Sequence, residues 1–495
     1  MNVTETIRTF LEFFGERGHQ VVPSSSLVPA KGDPVLFTTA GMHPLTRYLE
    51  GRPHPQGRRL AGVQRCLRTT DLDEVGDDRH LTVFQMLGSW SLGDYDGPQS
   101  LRWGWELLTD GFGIGRNRLH ATVFGGDDQV GPDLASWQTW SELGVPVEPL
   151  GPDNWWSNGP TGPCGPDSEL FAWTGDGPPQ GTPGTDGRWM ELWNHVTMSY
   201  RRHDDRSLER LPQRSVDTGM GLERLLMVVQ HQSSVFGCDL FRPWTTALSG
   251  LWQPDQGSLR LLTDHLRSSI VIIGDGVTPS NTGRGYVLRR LLRRALTVLW
   301  RPDSTRTLDD LPTSLVEQTL ARFGQCEKHG MIRDVLRGEE RRFAGLLTRG
   351  RKLLAQLGPG RPLTEADLRY LHQTHGLPPE LVIELTDLKI YTGGGYSLIQ
   401  PLSAGSGRGR AVRPGVPAPG TPGPRHHLPS RQSRSYRAPA RERRGILHGC
   451  RVHAAGGPCC LIRFMRLGLV RAAGGGWFWS GRGACRRTRR RGGCS

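Results

Sequence analysis

The stretch SVDTGMGLERL at 215–225 constrains this chain more than any other, because it sets an acid, a glycine-rich bend and a helix-borne arginine at fixed spacing. A strand ending near Val216 leaves Asp217 to receive a cationic group, while Gly219 and Gly221 let backbone approach a ligand where a Cβ would collide. Arg224 then enters on the following helix. An ordinary strand–turn–helix junction with a surface arginine reads the same way, since glycine turns are common. Other segments have to decide between the two.

At 495 residues the chain has room for roughly two to four domains. Its formal charge of +14 suggests a polyanionic partner until the charge is located: residues 401–495 hold 20 arginines, no lysine and one acid, Glu442. That leaves 42 basic and 47 acidic residues in 1–400, so the body is mildly acidic and the overall basicity is no argument for nucleic-acid binding. Cys66, Cys164, Cys238 and Cys326 are scattered in the body, and no CxxC or HxxxH pair is present, so a structural zinc site has no support. The N-terminus lacks a signal pattern and the apolar runs fall well short of a ~20-residue span. A soluble cytoplasmic protein without a membrane partner is the expectation.

Ile7, Phe10, Leu11 and Phe14 recur at helical spacing and predict a helix over 4–17, closed by Gly18. Strand candidates follow at 35–38 and 80–86, and the mixture of short strands and Pro, Gly and Asp turns continues to about residue 200. A mostly antiparallel sheet with marginal helices is expected. From 259 to 381 the texture is helical, and over 285–299 Val287, Leu288, Leu291, Leu292, Ala295, Leu296 and Leu299 form an apolar face. Arg289, Arg290, Arg293 and Arg294 lie on another face, which suits either phosphates or a solvated surface paired with acids. Beyond residue 396 neither period persists, and the tail reads as disordered or as translation in a shifted frame.

Arg68 follows a strand-like stretch at 62–67, and an acidic loop leads to a return strand carrying Phe84. In such a hairpin an arginine fork can clamp a phosphate and an aromatic ring can stack a purine. Taken with VPSSSLVP at 22–29, LFTTAGM at 36–42, FQMLGSWSLGDY at 84–95, NWWSNGPTGPCGPDSELF at 154–171, MELWNHV at 190–196 and DTGMGLER at 217–224, the hairpin resembles the catalytic domain of the alanyl-tRNA synthetase family. The segments fall in family order over about 240 residues. The resemblance continues through 263–296 and GEERRF at 338–343, and fades near residue 395.

The resemblance implies an α+β fold, with an antiparallel class II synthetase sheet flanked by helices over 1–245. An all-α tRNA-recognition domain would follow over 246–396, with the Arg/Gly/Pro-rich tail over 397–495. It implies activation of L-alanine with ATP and Mg2+, then transfer to the 3′ end of tRNA(Ala). Carried over by position, Arg68 would hold the α-phosphate and alanine carboxylate, Phe84 would stack adenine, and Arg224 would cover the other face near the γ-phosphate. Asp217 would bind the alanine ammonium, and Met42, Trp156, Asn194, Val196 and Gly219 would line the amino-acid pocket. Asn194 and Val196 project to one face of a strand on spacing alone. Glu191 is the implied magnesium ligand, but it lies three residues before Asn194, so strict alternation turns it away unless the strand carries a bulge. Asn281 would read the acceptor stem, with Arg289, Arg290, Arg293 and Arg294 on nearby phosphates. Glu380 is a loose counterpart of the family's partner acid, and a helix-capping role fits it equally well.

Gln85 stands where the family usually has glutamate, which implies a missing charge near adenine or metal. Thr39 replaces a usual asparagine, and the loop between Arg68 and Val75 is short. No pattern of the zinc-dependent editing domain follows, so neither zinc nor proofreading is expected, and serine and glycine would be misactivated. Two alternatives remain: an alanine-activating paralogue that loads a carrier protein or small molecule, and an inactive tRNA-binding remnant.

Overall fold

The computed structural model describes residues 1–375 apart from 31–34, 326–328 and 357–362, with Leu377, Val382 and a two-residue pairing of Val470–Arg471 with Trp477–Phe478 beyond them. Glu380 and nearly all of the tail at 397–495 lie outside the described residues.

The first helix shows how local chemistry starts the fold. Asn2 caps α1 (Val3–Glu16) by accepting from the Glu5 amide at 2.9 Å, and the Glu5 carboxylate accepts from the Asn2 amide at 2.8 Å. Gly18, at φ 77°, lets the chain leave the helix. The buried Phe10 and Phe14 rings pack on Trp193 of the sheet, each burial contributing roughly 1.5–3 kcal/mol. The expected helix over 4–17 is present, shifted by one residue at each end.

Next come β1 (Gln20–Val22), α2 (Thr46–Leu49), β2 (Arg59–Leu67), β3 (Val83–Ser91), α3 (Gly97–Glu106), β4 (Leu119–Phe124), α4 (Leu134–Glu142) and β5 (Val147–Leu150). They are followed by β6 (Trp155–Ser157), β7 (Gly162–Trp173), β8 (Trp189–Arg202), β9 (Leu208–Gly221) and α5 (Leu222–Val229). The strands form one sheet in the order β1-β2-β3-β9-β8-β7-β4-β5, with β6 paired to β7. The expected mostly antiparallel sheet flanked by helices is present. β1 runs parallel to β2 and β5 parallel to β4, so the sheet is mixed, with parallel pairings at both edges and antiparallel ones between.

Three strand expectations change: β9 does not end near Val216 but runs to Gly221 and passes directly into α5, so Gly219 and Gly221 lie in the strand and not in a bend. Residues 35–38 form no strand, because the Thr38 amide donates to the Leu27 carbonyl in a bend rather than to a ladder. The return strand begins at Val83 instead of 80, because the Asp77 carboxylate takes the Arg79 and His80 amides and Asp264 takes the Thr82 amide and hydroxyl.

One face of the sheet packs against α1, α3 and α5 through Leu87, Trp193, Leu170 and Met220. The other carries Leu60, Cys66, Met86, Trp90 and Val196 under the segment holding Met42 and Leu49. The helices α6 (Arg242–Trp252), α7 (Gln256–Gly274), α8 (Gly283–Trp300), α9 (Thr313–Arg322), α10 (His329–Gln356) and α11 (Glu365–His375) enclose a further core. That core reaches Leu67, Leu72 and Val83 of the hairpin, and the expected boundary at 245 falls inside α6. α7 is buried from Leu262 to Gly274 although it carries Asp264, His265 and Arg267. Two of its polar side chains bond to the start of β3: Arg267 Nη1 donates to the Val83 carbonyl at 2.8 Å, and Ser268 Oγ accepts from the Val83 amide at 3.2 Å.

Candidate active site

Directly paired residues in an antiparallel ladder point to the same face, so the register defines the site. Trp90 pairs with Asp217, Asp217 with Val196, and Val196 with Asp167, making one row across β3, β9, β8 and β7. The adjacent row on this face holds Gly219, Asn194 and Glu169. Alternation along β3 puts Phe84, Met86 and Gly88 on the same side as Trp90. A Cβ on Gly219 would sit 2.8 Å from Met86 Sδ, so glycine keeps this floor open.

Asp217 is 6% exposed, and Trp90 Nε1 donates to its Oδ1 at 2.7 Å. Burial raises its pKa from 3.8 to about 7, against the opposing effect of the Trp90 hydrogen bond. A buried acid with a single side-chain donor is suited to receive an ammonium, whose charge would favour the ionised form. Met42, Met86 and Val196 are buried in the same cluster, with Trp156 packed against it, which makes the surroundings apolar and small. Asn194 lies beside them and donates from Nδ2 to Asp167 Oδ2 at 3.1 Å.

Glu191 reaches the open face because β8 carries the bulge that its spacing requires. Leu170 pairs with Trp193 but Phe171 pairs with Glu191, so Leu192 and Trp193 both turn into the core and Glu191 emerges beside Asn194. Arg224 Nη1, at the start of α5, donates to Glu191 Oε2 at 3.1 Å and to its carbonyl at 3.2 Å. Arg68 lies over the Phe84 ring with Cζ 5.2 Å from the centroid, and its Nε approaches the Thr39 carbonyl at 3.4 Å. A guanidinium and an aromatic ring are therefore adjacent on this face.

Gln85 does not stand where the sequence reading put it. Its neighbours on β3 face the site, and it points to the opposite side, 7% exposed, accepting from Arg322 Nε at 3.0 Å. Its backbone amide donates to both oxygens of the buried Glu223. A carboxylate at this position would meet Arg322, on the side of β3 away from Phe84.

The four arginines of α8 are not one flank. Arg289 and Arg293 reach the fully buried Glu339 of α10 at 3.1 and 2.9 Å, and Arg342 joins them at 3.0 Å. Arg290 and Arg294 turn instead to Asp73 in the hairpin loop, at 2.7 and 3.6 Å. The acid-paired alternative thus describes all four, although three arginines on one carboxylate leave net positive charge there. The exposed Asn281 accepts from Arg289 Nη1 at the same end of α8.

Four contributors escaped the sequence reading: Trp90, Asp167, Glu339 and Asp73. Trp90 alone carried a usable signal, being six residues from Phe84 on the same strand and so on the same face. The others depend on contacts between distant segments.

Residues 5–391 match the sequence family described as tRNA synthetases class II (A). The alanine–tRNA ligase of Treponema pallidum (strain Nichols) is 39% identical over 407 residues, covering 76% of this chain and 67% of the relative. That of Rubrobacter xylanophilus is 39% identical over 417 residues, covering 78% of this chain and 47% of the relative. That of Borrelia hermsii is 37% identical over 417 residues, covering 78% and 69%. The chain therefore spans between about half and about two thirds of the length of these relatives.

Proposed function

Because this chain belongs to the class II tRNA synthetases, in the family of the alanine–tRNA ligases, we propose that it activates L-alanine with ATP and transfers it to the 3′ end of tRNA(Ala) in the cytoplasm. One observation carries the reading: a buried acid in a small apolar pocket, Asp217, shares a sheet face with a carboxylate–arginine pair and a stacked arginine–phenylalanine pair. In this reading Asp217 holds the ammonium, and Met42, Trp156, Asn194, Val196 and Gly219 bound the methyl group. Phe84 stacks adenine with Arg224 on its other face.

The alanine carboxylate attacks the α-phosphorus, the bond to the β-phosphate oxygen breaks, and pyrophosphate leaves. Arg68 neutralises charge gathering on the α-phosphate oxygens, so positioning and electrostatics supply the catalysis without a protein nucleophile. A ribose hydroxyl of the terminal adenosine then attacks the alanyl carbonyl and displaces AMP. Glu191 suits magnesium, since it offers a hard oxygen on the open face, and the ion would draw charge from the phosphates. Residues 1–245 form the activating part and 246–396 the part that meets the acceptor stem, where Asn281 and the α8 arginines lie.

Alanine-dependent ATP–pyrophosphate exchange by the full chain is the expected result, followed by charging of tRNA(Ala) but not of acceptor-stem variants. Absence of exchange would refute activation altogether. Exchange without charging would shift the function to a carrier protein or small-molecule acceptor.

A further inference from the structure

From the environment of Asn194 we infer that Asp167 is a positioning residue for amino-acid recognition, fixing which end of the Asn194 amide faces the substrate ammonium. The inference rests on the alanine-activation reading above. Asp167 is 1% exposed and lies in the row of Asp217, one strand beyond Val196. Its two oxygens take different amides, Oδ1 from Asn154 Nδ2 and Oδ2 from Asn194 Nδ2, each at 3.1 Å. Asn154 is itself fully buried and tied to Thr122 Oγ1 at 2.9 Å, so the acid is braced from beneath.

An ionised carboxylate only accepts hydrogen bonds, so both amides must turn their NH2 groups toward it and their carbonyls away. Both carbonyl oxygens, Asn154 Oδ1 and Asn194 Oδ1, are buried without a hydrogen-bond partner. Leaving a buried acceptor unpaired is unfavourable, and Asn194 pairs with Gly219, two residues from Asp217. A substrate ammonium carries three N–H donors, of which Asp217 can take one or two. The Asn194 carbonyl supplies a further acceptor, and the orientation imposed by Asp167 ensures that it meets the cation with oxygen instead of NH2.

The test is Asp167→Asn, which preserves shape but lets the Asn194 amide turn over. In alanine-dependent exchange the KM for alanine should rise roughly 10- to 100-fold, the loss of one charge-assisted hydrogen bond. The KM for ATP and the kcat at saturating alanine should stay within a few-fold. The reciprocal double variant, Asp167→Asn with Asn194→Asp, restores an acceptor at the substrate and a donor beneath it, and should recover most of the alanine affinity. An unchanged alanine KM in folded Asp167→Asn overturns the inference, as does a double variant no better than the single one. A single variant that fails to fold, or that loses ATP and alanine affinity together, assigns Asp167 to architecture and also overturns it. Lack of exchange in the unaltered chain refutes alanine activation itself and is thereby distinguishable from these outcomes.

Discussion

Replacing Asp217 with asparagine should make the ligand-free protein more stable while destroying its use of alanine. The carboxyl sits at about 7 in the folded chain against 3.8 for an ordinary aspartate. At about 1.4 kcal/mol per pH unit, holding it ionised in the fold above neutral pH costs about 4 kcal/mol. The sign follows from the raised folded-state value: below the unfolded pKa both states are protonated, and the group favours neither. Between about 4 and about 7 the unfolded chain ionises while the folded carboxyl stays neutral, so stability falls as pH rises and then levels off. The asparagine carbonyl still accepts from Trp90 Nε1, and an amide has no such titration.

The stability advantage of Asp217→Asn should therefore open by up to about 1.4 kcal/mol per pH unit between about 4 and about 7 and remain constant above. Urea denaturation at roughly unit intervals from about pH 5 to about pH 8.5, followed by tryptophan fluorescence, measures it. Saturating alanine should raise the midpoint of the unaltered protein and leave the variant unmoved, and exchange by the variant should be lost. An advantage that does not vary with pH, or a variant less stable above pH 7, would refute the argument that burial raises this acid.

The same group sets the activity profile: kcat/KM for alanine should rise about tenfold per pH unit up to about pH 7 and then level, while a flat profile from about pH 5.5 would contradict the role of Asp217. Gly219→Ala would bring a Cβ within 2.8 Å of Met86 Sδ on the pocket floor. It should raise the alanine KM at least about tenfold with little change for ATP, measured by exchange kinetics. Asp73→Asn should leave stability within about 1 kcal/mol, since the Arg290–Asp73 pair is exposed, with side chains 41% and 73% accessible. By releasing Arg290, while Arg294 stays bonded to the Leu72 carbonyl, it should tighten tRNA binding a few-fold at low salt and steepen its salt dependence, read by filter binding; weaker binding would show that the pair is needed to shape the loop.

The long amphipathic helix was legible because its signal is local, whereas at 215–225 only the strand-to-helix order was legible: the bend expected after Val216 is replaced by strand that continues to Gly221 and passes directly into α5. Asp217, the two glycines and Arg224 sit where a two-residue and then a 3.6-residue period put them. The Glu191 bulge was legible only as a requirement, since the extra residue is identified by which neighbours of Leu192 reach the core. The arginines of α8 were misread for a physical reason: a charge run reports its own helix face, but its partners, Glu339 and Asp73, come from α10 and the hairpin loop. Gln85 was misread because a resemblance carries residue type but not side-chain direction, and alternation from Phe84 would have turned it away from adenine.

The placement of Arg224 depends on more than its own helix. Glu223, the preceding residue, is buried at 2% exposure and accepts from the Gln85 amide of β3 and from Arg267 of α7, the latter at 3.4 Å. Burial pushes the Glu223 carboxyl up and the Arg267 guanidinium down, and their mutual attraction opposes both shifts. Arg322, at the end of α9, completes the cluster through Gln85 Oε1. A buried acid stripped of its cation is destabilising by about 3–5 kcal/mol, more than the anchoring of one short helix can absorb. The sheet and the helices are thus joined by a shared buried charge set directly behind Arg224. Cutting the chain at residue 245 would remove Arg267 and Arg322 together, leaving Glu223 to backbone donors and α5 without the contact that aims its arginine at Glu191.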